Sequence, residues 1–333
     1  MTSRKTKMYR FLEILPGALT WFTLLGAVVF SYFFPFWVAI YIIVFDVYWV
    51  LKAINTAMHL LSTFSKLKLH ASYNWTDKLE KIRDMAGYRQ YLSKLIATNI
   101  SQKQKNDLKS ELVRLEGIDF SGRDLDWRHV YHLVILPTYK ESFELLDASV
   151  RSIVNSEYPL DKIFFVLATE ERDRVAGLRN GAELKARYGS RFFRFETIMH
   201  PDGRAGEIKA KGANLTYAAR KASSMLSEMD VPFENVIVSA FDSDTVVSRN
   251  YFAYLTYTFL TAKKPYRTSY QPMPVYNNNI WDAPAITRVV AVANSFWQMT
   301  EASRPDRLVT FSSQAITLKA LVDVDFWPVD VIS

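Results

Sequence analysis

From Gly17 the chain runs through more than 35 residues with hardly a charge, "GALTWFTLLGAVVFSYF" followed directly by "FPFWVAIYIIVFDVYWVLKAI". One membrane span needs about 20 apolar residues, so this run is long enough for two. The apolar core of a signal peptide is shorter and ends at a small-residue cleavage site, a pattern the run lacks. Pro35 offers a place to turn. The segment 1–65 therefore reads as a transmembrane helical hairpin of two spans joined by a very short non-cytoplasmic loop. Arg4, Lys5, Lys7 and Arg10 precede it, and Lys52, Lys66 and Lys68 follow. The positive-inside rule puts both ends in the cytoplasm, which predicts a multi-pass protein of the inner (cell) membrane with its downstream part cytoplasmic. Asp46 lies inside the second span, where a carboxylate is costly. It reads either as part of a proton or substrate path or as a group that pairs with further helices or headgroup-level water.

Composition narrows the rest. Hydrophobic residues make up 49% of the 333, which excludes a disordered chain. The net charge of +7 is spread out rather than gathered into a basic stripe with interleaved aromatics, so nucleic acid is not an expected partner. The absence of cysteine excludes disulfides, thiolate metal sites and cysteine nucleophiles. Residues 66–128 are polar and mixed in charge, with Leu92, Leu95, Ile96, Leu108, Leu112 and Leu115 at helical spacing. They read as an amphipathic helical linker lying against the membrane surface or the next domain, with Tyr73 and Trp75 suited to an interface.

From His129 short apolar runs alternate with helical stretches. "HVYHLVILPTY", "DKIFFVLAT", "RFFRFETIMH" and "NVIVSAF" read as strands. "ESFELLDASVRSIVNSEYP", Glu170 to Arg187 and Glu207 to Met229 read as helices. That alternation predicts an α/β domain over 129–333, a mainly parallel sheet with helices on both faces. Ligands of such sheets bind outside the carboxyl ends of the strands. "PTYKE" lies at one such end and "DSD" at another.

Asp-x-Asp occurs three times, at Asp124/Asp126, Asp242/Asp244 and Asp323/Asp325, where about one is expected by chance. The first falls in the turn-like "SGRDLDW". Only the second directly follows an apolar strand. Carboxylates at i and i+2 of an extended chain share a side and repel unless a cation joins them. A divalent ion such as Mg²⁺ or Mn²⁺, shared with phosphates, would do so. The same residues admit a plainer reading, in which Asp244 caps a helix starting near Ser248.

Taken together, "ILPTYKE", "LLDASVRSIVNSEYP", "KAKGAN" (Lys209 to Asn214) and "AFDSDTVV" resemble, in order, the signature segments of the family-2 glycosyltransferases. These are membrane-associated enzymes with the glycosyltransferase-A fold. The resemblance covers roughly Val130 to Ser333. It implies a metal-dependent, inverting transfer of a sugar from a nucleotide-diphosphate donor, expected to be a UDP-sugar, to a saccharide or lipid acceptor on the cytoplasmic face. Pro137, Thr138, Tyr139 and Glu141 would shape the nucleotide pocket, with Glu141 bonding the base or ribose. Lys209 would sit near the diphosphate and Asn214 in the same donor segment. Asp242 would meet the ribose or the metal, and Asp244 the metal.

The resemblance has two departures. The second strand ends "VLATEERD" where the family has Asp-Asp-x-Ser, so Glu170 or Glu171 would have to substitute. The family's catalytic base lies in a Glu-Asp segment beyond a stretch like "LVDVDFWPVD". The resemblance thus implies that the base falls after Ser333 and that this chain is the amino-terminal portion of a longer one. Gln271, Asn277 to Asn279 and Asp282 form a polar cluster on the implied acceptor side. "VVAVANSFWQM" reads as an interface helix or as plain core. Rival readings are a degenerate transferase-like membrane scaffold without activity and a nucleotidyltransferase on a related fold. The latter would need a Gly-rich loop, which "PTYKESFE" does not supply.

Overall fold

Strands buried on both faces are mostly apolar, and β1 (Tyr131–Pro137), β2 (Ile163–Glu170) and β4 (Val236–Ala240) are, with His132, Thr169 and Ser239 as the buried polar exceptions. The computed structural model describes residues 7–276, 280–302 and 313–331. The chain divides into two compact units, Met1–Phe64 and Ser65–Ser333.

In the first unit, α1 (Lys7–Phe33) and the opening of α2 (Pro35–Ser72) are each long and apolar enough to cross a membrane. Pro35 is the first residue of α2, where a missing N–H costs nothing. In the second unit three helices come first: α3 (Trp75–Ile82), α4 (Met85–Ala97) and α5 (Gln102–Glu116). A capping box between Ser101 and Gln104 starts α5. The apolar sides of these helices join the same core as the sheet, since Leu79, Leu92 and Leu115 pack in one cluster with Val134 and Phe165. The segment expected as a linker is thus built into the second unit.

The sheet then assembles. β1 leads through α6 (Phe143–Val154) to β2, through α7 (Arg174–Tyr188) to β3 (Arg194–His200), and through α8 (Lys211–Glu228) to β4. After β4 come α9 (Tyr251–Leu260), β5 (Ser269–Tyr270), α10 (Ala285–Ala302), β6 (Ala315–Thr317) and α11 (Leu318–Asp323). The strand order is β3-β2-β1-β4-β6-β5. β1 to β4 are mutually parallel, whereas β6 runs antiparallel to both of its neighbours. This is the mainly parallel α/β sheet that the sequence predicts.

Alternate residues of each strand face opposite layers. Val134, Leu136 and Phe165 pack toward α6 and α7, and Leu133, Ile135 and Val166 toward α8 and α11. Small residues let the helices come close. A β-carbon on Gly181 of α7 would collide with the Thr197 side chain of β3, and α8 meets the sheet through Ala218, Ala219 and Ala222.

Candidate functional site

The chain winds β1, β2, β3 outward in one direction, then crosses over α8 to place β4 on the other side of β1. The order therefore reverses between β1 and β4. At such a switch point the loops leaving neighbouring strands part and open a crevice. Thr138 to Glu141 leave β1 on one side, and Asp242 to Thr245 leave β4 on the other.

Both loops are pinned. Glu141 Oε2 accepts from the Thr138 hydroxyl at 2.8 Å and from the Tyr139 amide, and Oε1 accepts from the Ser243 hydroxyl at 3.1 Å. Ser149 of α6 donates to the Ser243 carbonyl at 2.7 Å, and Ser152 accepts the Val247 amide at 3.0 Å. Thr245 closes the aspartate loop, its amide donating to the Asp242 carbonyl and its hydroxyl accepting from the Asp242 amide, both at 3.0 Å. Lys140 sits in the left-handed region at φ 69°, an uncommon conformation for a residue with a β-carbon. Its amide is held by Asp173 at 2.9 Å.

The Lys211 ammonium, on the first residue of α8, pairs with Asp242. No side chain caps the start of α8, which leaves the positive end of the helix without a capping oxygen. The cap reading for Asp244 fails, because α9 begins at Tyr251 after Asn250 and makes no side-chain cap.

Beside the crevice, Glu170 at the end of β2 is held by Arg172 (Nε at 2.8 Å), whose guanidinium lies 4.3 Å from the centre of the Tyr139 ring. A shallow cavity next to them is lined by Glu170, Arg172, His200, Asp202, Glu207 and Lys209, among others. Glu171 receives the Asp202 amide at 3.0 Å. Lys209 is exposed and paired with Asp202 at 2.9 Å.

The sequence-predicted residues thus separate into three groups. The loop that carries Glu141 and the loop that carries Asp242 and Asp244 are joined at the switch point through Ser243, and Pro137 and Thr138 are buried there. Tyr139, Glu170 and Lys209 line or flank the cavity beside it. Asn214 is buried, and its amide donates to the Ala168 carbonyl at 2.9 Å, so it fastens α8 to β2. Glu141 is spent on the two loops rather than turned outward. Sequence reasoning missed Lys211, Arg172 and Ser243. Lys211 stands two residues along in the same "KAKGAN" segment, and only the start of α8 separates its role from that of Lys209. Asn277 to Asn279 lie outside the described residues.

A divalent ion fits here only as a guest of two carboxylates. Among the described residues no group of three or more His, Asp or Glu side chains could hold one. Asp242 already holds a cation in Lys211, which shows that it can take positive charge. The remaining oxygens of such an ion's shell would come from phosphate and water.

No protein-family profile matches the chain, and no curated protein does. Solved structures do. The mannosyltransferase PcManGT from Pyrobaculum calidifontis, in complex with GDP-Man and Mn²⁺, is 18% identical, with 60% of this chain and 48% of that one covered and a TM-score of 0.37. TarS 1-349 of S. aureus is 12% identical, with 61% of this chain and 52% of that one covered and a TM-score of 0.34. The chain spans about half the length of each. Overlaps of this extent assign no residue a role.

Proposed function

We propose that the chain is a membrane-bound glycosyltransferase of the family-2 type with a glycosyltransferase-A arrangement. It takes a nucleotide-diphosphate sugar, with UDP-sugars the first candidates, and passes the sugar with inversion to a saccharide or lipid acceptor at the cytoplasmic face. One observation carries this reading. The Asp242-Ser243-Asp244 loop and the Thr138–Glu141 loop are tied together at the switch point, with the Lys211 ammonium on the carboxylate side.

Asp242 and Asp244 would hold a Mg²⁺ or Mn²⁺ ion, which when bound would neutralise charge on the departing diphosphate. The β1 loop orients the nucleotide. Pro137 and Thr138 form its buried floor, and the Tyr139 ring, backed by Arg172, is its half-buried wall. Glu141 acts by positioning both loops. Glu170 and Arg172 present an acceptor and a donor side by side where a base or ribose would be read.

The membrane placement is supported by the two apolar helices and by α10. Ile286, Val289 and Val290 of α10 are 81%, 70% and 61% exposed, and Phe296 and Trp297 are exposed as well. A water-facing helix does not carry such a face, whereas the headgroup level of a bilayer suits it.

The test is calorimetry on Asp244→Asn with Mn²⁺ and UDP or GDP. Loss of Mn²⁺-dependent nucleotide binding with an unchanged thermal midpoint is expected. Asp124→Asn, in the turn before β1, is the matched control and should change nothing. Unaltered binding by Asp244→Asn would instead favour the non-catalytic scaffold.

A further inference from the structure

Lys211 and a metal ion cannot both have Asp242 in the same way. The ammonium is joined to one of the two carboxylates assigned to the ion. Which partner moves is decided by what is fixed. The aspartate loop is held by Ser149, Glu141 and the reciprocal bonds within Asp242–Thr245. Lys211 has a flexible four-carbon stem. The lysine can therefore leave while the carboxylate stays. It can turn toward a phosphate at the uncapped, positive start of its own helix, of 18 residues.

We infer that Lys211 couples cation binding to diphosphate binding. Without nucleotide, the ammonium competes with a divalent ion for Asp242, and a nucleoside diphosphate ends the competition by taking the ammonium onto its phosphate oxygens. This rests on the reading of Asp242 and Asp244 as metal ligands. Each ligand then tightens the other by the same factor, as linkage requires. The arrangement holds Asp242 neutralised in the empty site and disfavours loading the metal alone.

The experiment measures Mn²⁺ binding to the full chain by the paramagnetic resonance of the free ion, with and without UDP or GDP. It compares wild type, Lys211→Gln, Lys211→Met (which keeps the aliphatic stem) and Lys211→Arg. Removing one partly exposed ion-pair partner should tighten Mn²⁺ alone by roughly fivefold. The same neutral variants should bind nucleotide more weakly at saturating Mn²⁺, so that the coupling factor falls below the wild-type value to what direct contact between the ion and the phosphate supplies. Lys211→Arg should stay close to wild type in both. The role is overturned if either neutral variant binds Mn²⁺ alone no more tightly than wild type while Asp244→Asn still abolishes binding. If Asp244→Asn leaves Mn²⁺ and nucleotide binding intact, the metal site itself falls and the coupling role with it.

Discussion

The Ser243 hydroxyl, in the loop that leaves β4, donates to the Glu141 carboxylate, in the loop that leaves β1, across 3.1 Å. The two residues are 102 positions apart in the chain. Their bond fixes the width of the crevice at the switch point, and Glu141 binds its own loop through Thr138 and Tyr139 as well.

Removing that carboxylate should therefore loosen both walls at once. Hydrogen bonds to a charged group are worth about 1.5–3 kcal/mol, and 1.4 kcal/mol is tenfold in affinity. Glu141→Ala is expected to weaken Mn²⁺-dependent binding of UDP or GDP by at least roughly tenfold in calorimetry. Glu141→Gln, which keeps one acceptor oxygen, should lose less. Equal affinities for both variants and wild type would remove Glu141 from the site's support.

A second network holds the helices before the sheet to α9. Lys78 Nζ meets Glu111 Oε2 at 2.5 Å, and Tyr88 and Tyr257 both donate to Oε1, Tyr88 at 2.6 Å. The Lys78 and Glu111 side chains are only 11% and 9% exposed. Burial pushes the Tyr88 and Tyr257 phenols up, which keeps them protonated as donors. Breaking such a pair strands a buried charge, at a cost of about 3–5 kcal/mol, whereas replacing both members with apolar groups is close to neutral. Glu111→Leu should lower the thermal midpoint by several degrees. Adding Lys78→Met should recover the part due to the stranded ammonium but not the part due to the Tyr88 and Tyr257 hydroxyls, which still lose their acceptor. A double variant no better than the single would contradict the ion-pair account.

His132 predicts a pH dependence. Its ring is wholly buried in β1, with Nε2 2.8 Å from the Thr256 hydroxyl and edge-to-face contacts with Tyr158 and Phe252. Burial pushes the imidazole down to about 3, against about 6.5 in the unfolded chain. The unfolded chain is thus protonated first as pH falls. The stabilising contribution is fully present above about pH 6.5 and shrinks toward pH 3, by up to about 1.4 kcal/mol per pH unit. Urea denaturation of wild type and His132→Gln across that window should give a stability difference that depends on pH. A difference constant with pH would show that the buried ring takes up its proton in the folded state.

Much of the fold is legible in the residues alone. The runs "LVILP" and "IFFVLA" are short, apolar and without alternation, as strands covered on both faces are. The intervening helices must then lie on the two faces and the sheet must be mainly parallel. The apolar length of residues 17–54 likewise determines two long helices, because no water-facing structure uses so many apolar residues in succession. Asp242 and Asp244 stand out as candidates because a strand of five buried residues delivers them to its carboxyl end. That linear pattern does not say what stands opposite them. Which groups Glu141 bonds, and whether Lys209 or Lys211 lies beside Asp242, depend on distances between segments that are far apart in the chain. Tertiary structure decided these points through the α8 crossover, which sets β4 beside β1. It brings residue 211 against residue 242 and Ser243 against Glu141, and the helix start at Lys211 leaves Lys209 outside with Asp202.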